Sequence, residues 1–154
     1  MDDSFLDEIP DGVREGVVGC LVLRPDGRIF AQKRSATRKT FPGCWDLVGG
    51  HVEPGETLRQ TLVRELSEET GWTLERVLGL RRVIDWETPG PHGPVLKREY
   101  VVAVTVAGGW ESPRLEADKV TEGHWFGPDE LARLNENRGS DTYVYDLMQE
   151  EFTR

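Results

Sequence analysis

Cysteine is scarce in this chain of 154 residues. Cys20 and Cys44 are the only two, and neither has partners at metal-binding spacing. That argues against a disulfide-stapled scaffold or a cysteine-held metal, and fits free thiols in a reducing cytoplasm. Long apolar runs are missing as well. No stretch reaches the ~18 residues of a membrane-spanning helix. The first residues, MDDSFLDEIPDG, are acidic and lack the apolar stretch of a secretion signal. The expected location is therefore cytoplasmic. Basic charge is in short supply, with 19 Lys and Arg against 28 Asp and Glu and a formal net charge of −9. This opposes non-specific binding to long nucleic acid or to an anionic membrane. A small nucleotide stays admissible, because a bound metal supplies positive charge locally. No internal repeat or low-complexity segment stands out. The length suits one core, so residues 1–14 read as a polar N-terminal tail and residues 15–154 as a single domain.

What the chain does hold is concentrated between Gly50 and Trp72, in GHVEPGETLRQTLVRELSEETGW. Pro54-Gly55 signals a turn. Thr57 suits a helix N-cap, and Gln60 three residues later completes a capping box. Residues 57–70 contain no Gly or Pro and are rich in Leu, Arg and Glu, which favour helix. Gly71 stands where a helix stops. At ~100° per residue, Leu58, Leu62 and Leu66 form one stripe that must face a core. Glu65 and Glu69 point close to that stripe, and Glu68 lies beside it. Three carboxylates at a helix C-terminus repel one another and face the negative end of the dipole, each effect costing a few tenths of a kcal/mol. A hard divalent cation reverses both, since Mg2+ favours carboxylate oxygens together with water and phosphate. Arg64 can reach Glu56 or a neighbouring carboxylate and hold it through a bidentate pair. Gly49-Gly50 lets backbone approach a metal or phosphate closely.

Strands are expected around this helix. Gly16 to Leu23 is an apolar β-type run, Pro25-Asp26-Gly27 a turn, and Arg28 to Arg34 its hairpin partner. Trp45 to Val48 is short and apolar. Leu78 to Trp86 and Val95 to Val106 read as a second strand pair across a Pro- and Gly-rich loop, and His124 to Phe126 as a last short strand. Gly127-Pro128-Asp129 should start a helix, and a final helix is expected from Asp141 to about Glu150. Strands flanking a central helix, with helices on the other side, give an α/β fold with a mixed sheet between helices.

Gly50, Glu56, Arg64-Glu65, Glu68-Glu69 and Gly71, at this spacing and with apolar residues between them, resemble the signature of the Nudix hydrolases. The resemblance implies a Nudix-type α/β/α sandwich over roughly residues 15 to 135, with the weaker WFGPDEL match at Trp125 to Leu131 as its closing strand and helix. It implies hydrolysis of a diphosphate bond in a nucleoside triphosphate or nucleoside diphosphate derivative, with Mg2+ or Mn2+. Metal ligation would fall to Glu65, Glu68, Glu69 and Gly50. Catalytic roles would fall to Glu65 and Glu68, with Arg64 orienting the carboxylates. The family takes its general base from this box or from a loop before the last strand, which here offers Glu111, Glu116 and Glu122; Glu116 and Glu122 rank equally. Gln32-Lys33-Arg34-Ser35, Lys39 and Phe41 to Asp46 also look like the branch that includes isopentenyl diphosphate isomerases. Those enzymes use a Cys downstream of the Trp and a degenerate box, whereas this chain has no Cys after Trp45 and an intact box. Arg34, Arg38 and Lys39 are candidates to clamp a diphosphate, and His51 and Glu53 to touch substrate. Trp86, Tyr100, Trp110 and Phe41 could stack on a base. The competing class is a non-catalytic, nucleotide-sensing binding module. The expected partner is a small nucleotide or diphosphate, not long nucleic acid or membrane, with a homodimer as the assembly left open.

Overall fold

Val18 to Val22 is apolar at nearly every position, so the strand it forms must be covered on both faces. In the computed structural model, which describes residues 3–154, it is the centre of the molecule. The strands are β1 (Glu15–Val22), β2 (Ile29–Arg34), β3 (Trp45–Asp46), β4 (Val48–His51), β5 (Thr73–Thr88), β6 (Val95–Ala107) and β7 (Val120–Phe126). The helices are α1 (Leu58–Thr70) and α2 (Tyr143–Phe152), with 3-10 turns at Ser4–Asp7 and Leu131–Asn135. One sheet has the order β4-β1-β6-β5 and is mixed, because β1 runs parallel to β6 and antiparallel to β4. A second, antiparallel sheet has the order β3-β2-β7.

Alternate residues of β1 and β6 feed two cores. Val18, Cys20, Val22, Val102 and Val104 pack with Leu58, Leu62 and Leu66 of α1. Leu21, Val101 and Ala103 pack with Val144, Leu147 and Met148 of α2. The fold is thus the expected α/β/α sandwich, with its strands divided between two sheets. Phe30 and Trp72 meet edge-on at 4.9 Å between ring centroids, tying the second sheet to the end of α1. Cys20 and Cys44 are buried, free thiols. No described helix is long and apolar enough to cross a membrane.

The local signals of α1 are realised. The Thr57 hydroxyl accepts from the Gln60 amide at 3.1 Å, and the Gln60 side chain accepts from the Thr57 amide at 2.9 Å. Gly71 ends the helix in the left-handed region, at φ 77°. Leu62 is fully buried, so Leu62→Ala should lower the unfolding free energy by about 2–5 kcal/mol in a urea titration. A loss within error of zero would show that this stripe is not the anchor of α1.

Several elements differ from expectation. The β1–β2 hairpin reduces to a single bridge, Leu23 with Ile29, because β1 is already paired on both edges. Trp45 to Val48 is split, with Trp45–Asp46 in one sheet and Val48 in the other. The strand β5 starts at Thr73, two residues after Gly71, rather than at Leu78, and β7 starts at Val120 rather than His124. Pro128-Asp129 forms a turn, and the helix expected there is the short 3-10 segment Leu131–Asn135. The N-terminal residues 3–8 are docked rather than a free polar tail. Leu6 is fully buried in the α1-side core, and the Glu8 carbonyl accepts from the Leu58 amide at 3.1 Å. That amide is one of the first-turn donors of α1 that need an outside acceptor.

Candidate active site

The two sheets and the C-terminal end of α1 enclose a cleft of about 530 Å3. Its lining includes Gly49, Gly50, Glu65, Glu68, Glu69, Arg34 and Glu116 from the residues singled out in the sequence. The helical spacing explains how the glutamates divide. Glu65 and Glu69, on the stripe side, are turned inward; the Glu65 side chain is only 13% exposed. Glu68, beside the stripe, is 56% exposed. Among the described residues the acidic groups do not form a closed metal-ligand set. Glu65 and Glu69 are hydrogen-bonded to each other, and Glu68 turns toward Arg64.

Glu69 accepts from the Gly49 amide at 2.9 Å and from the Gln32 side-chain amide at 2.8 Å. Burial, and then the neighbouring Glu65 charge, push its carboxyl up to about 9. Glu65 is raised by burial as well, with Arg64 opposing the shift. Burial and mutual repulsion thus both disfavour full ionisation of the pair. Gly50 is required beside it, since a Cβ there would lie 2.4 Å from a Glu65 carboxylate oxygen.

Arg64 stands behind the cleft and holds the loop. It donates to both oxygens of Glu56, at 2.8 and 3.0 Å, to Glu65 at 2.8 Å, and to the His51 carbonyl at 3.0 Å. The pairing holds the Glu56 carboxyl down at about 2. One side chain thus fixes the turn before α1 relative to a cleft carboxylate.

The other predicted residues separate clearly. Arg34 and Arg38 line the cleft, while Lys39, next in the chain after Arg38, is exposed outside it. Glu53 lies in a neighbouring hollow of about 380 Å3 between the N-terminal segment and the α1 loop. Glu116 sits at the turn into β7 and lines the cleft, where it pairs with Lys119 at 3.4 Å. Glu122 is exposed within β7, opposite Lys33, because the strand begins two residues before it. Glu111 is exposed and also outside the cleft. Of the aromatics, Trp86 and Phe41 line the cleft, whereas Tyr100 and Trp110 pack against the α1-side core.

Sequence reasoning missed Gln32, Asp46, Lys97 and Glu99, all of which line the cleft. Tyr143 of α2 donates to Glu99 at 2.6 Å, and burial raises the Glu99 carboxyl. Lys97 donates to the His51 ring at 2.8 Å. Burial, reinforced by Lys97, lowers the His51 pKa and keeps that ring neutral. The only available signal for Lys97 and Glu99 was their polar character inside a strand run that is otherwise apolar toward its end.

The NUDIX domain family model matches residues 13–147, and the chain belongs to that family. Among its relatives is an uncharacterized Nudix hydrolase, orf19, of Rhodococcus erythropolis. It is 32% identical over 126 residues, which make up 78% of this chain and 66% of the relative. The nucleoside triphosphatase NudI of Enterobacter sp. (strain 638) is 40% identical over 63 residues, 41% of this chain and 45% of the relative. The chain therefore spans about half to two thirds of the length of these relatives. A crystal structure of a MutT NUDIX hydrolase from Burkholderia pseudomallei superposes with a TM-score of 0.65 at 29% identity, covering 90% of this chain and 97% of that one. A MutT protein of Methanosarcina mazei Go1, at 22% identity, shares the fold with a TM-score of 0.66, covering 94% and 97%.

Proposed function

We propose that this chain hydrolyses a diphosphate bond in a nucleoside triphosphate or a nucleoside diphosphate derivative, using Mg2+ or Mn2+. The observation that carries this reading is geometric: the half-buried Glu65 and Glu69 carboxyls meet in the cleft beside the Gly49-Gly50 backbone, with Glu68 at its rim. The donor set consists of hard oxygens, and the missing Cβ at Gly50 leaves room beside Glu65; both suit a hard divalent ion. Glu65, Glu68 and Glu69 would hold it beside the Gly50 backbone. When bound, such an ion neutralises phosphate oxygens and makes a water more acidic.

The chain's own residues supply the rest. Arg34, Arg38, Lys97 and Lys119 on the cleft walls neutralise phosphate charge outside the carboxylate end. Glu116 reaches the cleft from the turn before β7 and takes the proton of the attacking water. Arg64 keeps Glu65 oriented through each cycle, and because it also grips Glu56 it cannot swing away alone. Trp86 and Phe41 offer flat faces to the nucleobase. The NudI relatives are nucleoside triphosphatases, which makes nucleoside triphosphates the first substrates to try. The buried free thiols suit a reducing compartment, so we place the protein in the cytoplasm.

The test is incubation of the pure protein with a panel of nucleotides in Mg2+, followed by detection of released phosphate or diphosphate. Turnover is expected with at least one nucleotide. It should disappear in excess chelator and be poor in Ca2+, which prefers longer and looser coordination. Full activity in chelator would overturn the metal-dependent reading. Tight nucleotide binding without turnover would favour the nucleotide-sensing module instead.

A further inference from the structure

Gln32 lies on β2 with its side chain facing the carboxylate end of the cleft, and it is only 3% exposed. Its amide nitrogen donates to one Glu69 oxygen at 2.8 Å, while the Gly49 amide donates to the other at 2.9 Å. Glu69 is thereby held by a donor on each oxygen, one from backbone and one from this side chain. The side of the carboxyl turned to Glu65 is engaged by the hydrogen bond between the two acids, and a cation replacing that proton would meet both. The Gln32 amide oxygen is buried and has no hydrogen-bond partner among the described residues. An orphaned buried acceptor is costly, and native proteins seldom keep one without a use. If the position only needed filling, Leu or Met would occupy a similar volume without that cost.

We propose that Gln32 is a positioning residue of the carboxylate site: it holds Glu69 in the orientation that accepts a divalent cation, and it offers its own amide oxygen to a hydration water carried by that cation. The inference rests on the metal-dependent reading above. It gives a use to both ends of the amide, whereas a packing role accounts for neither. Mg2+ and Mn2+ ions bound by few carboxylates retain waters, and those waters need acceptors. A side chain that orients a ligand in this way commonly changes metal affinity or activity by about 10- to 100-fold when lost.

The experiment uses Mn2+ alone as the probe, titrated calorimetrically into the full chain, wild type beside Gln32→Leu and Gln32→Met. Both variants should bind Mn2+ at least about tenfold more weakly. With a nucleotide identified as substrate, kcat should fall while KM for that nucleotide at saturating metal stays within about twofold, the pattern of an interaction that matters only after binding. Melting temperatures in excess chelator should change little, because the variants remove an unmet acceptor at Gln32 and a donor to Glu69 together. Methionine tests the position with a flexible side chain if leucine disturbs the packing. Lower melting in chelator with unchanged Mn2+ affinity in either folded variant overturns the proposal and makes Gln32 a packing residue. Mn2+ binding that weakens in the variants of a protein showing no turnover would sustain this inference while ending the hydrolase reading. A wild-type chain that takes up no Mn2+ overturns both.

Discussion

Glu69→Gln is expected to reduce turnover by about 10²–10³-fold while the metal-free protein melts at the same temperature or higher. The two effects separate because the buried carboxyl is a burden to the fold until a cation arrives. The folded Glu69 carboxyl lies at about 9, against an ordinary value of 4.5. Below pH 4.5 the group is protonated in both folded and unfolded chains, and it opposes folding least. Between pH 4.5 and about 9 the unfolded chain gives up its proton while the folded chain keeps it. Stability in chelator therefore falls across that window. Glu69→Gln removes this contribution, so its advantage over wild type should grow as pH rises toward 9. Saturating Mg2+ should reverse the order, because it stabilises the ionised pair of the wild type only. Glu68→Gln offers a contrast: Glu68 is exposed, so the pH dependence of melting should persist although turnover also falls. Melting curves in chelator from pH 5 to 9, beside rates in Mg2+, provide the check. A Glu69→Gln protein that melts lower than wild type throughout and retains its rate would make this carboxylate structural.

The second large effect concerns two adjacent glycines with opposite consequences. A Cβ at Gly50 would lie 2.4 Å from the Glu65 oxygen and 2.6 Å from its carboxyl carbon. The obstacle is the end of a side chain, so Gly50→Ala should fold and displace Glu65 from Arg64 and Glu69. Turnover should fall by about 10²-fold or more with a modest change in unfolding midpoint. A Cβ at Gly49 would lie 2.0 Å from the Val18 carbonyl oxygen, part of the central strand. That backbone cannot yield without breaking the β1–β4 pairing, in which Gly49 faces Gly19. Gly49→Ala should therefore cost about 3 kcal/mol or more of stability, seen as low soluble yield or a reduced denaturation midpoint. If Gly50→Ala is the less stable variant and Gly49→Ala the fully active one, the assignment of these two roles is reversed.

What the sequence determined by itself was local. The capping box at Thr57 and Gln60, the Leu stripe, the stop at Gly71 and the placing of Glu65, Glu68 and Glu69 all follow from the helical repeat within a few turns of chain. A cation-binding role was suggested because three acids at a helix end conflict with the local electrostatics. The α/β/α class followed from strands flanking that helix together with the family resemblance. Tertiary structure decided everything that needed separated segments to meet. The apolar runs of β1 and β2 gave no sign that they would enter different sheets, because strands covered on both faces lose the alternation that marks direction. Glu116 and Glu122 were indistinguishable until β7 was seen to start at Val120, leaving one at the cleft and the other on the surface. Leu6 could not be recognised as core among polar neighbours until its segment docked on α1. Gln32 met Glu69 only when the second sheet closed over the helix end. Hydrogen bonds and ion pairs act over a few ångströms, and residues far apart in the chain come within that reach only through packing.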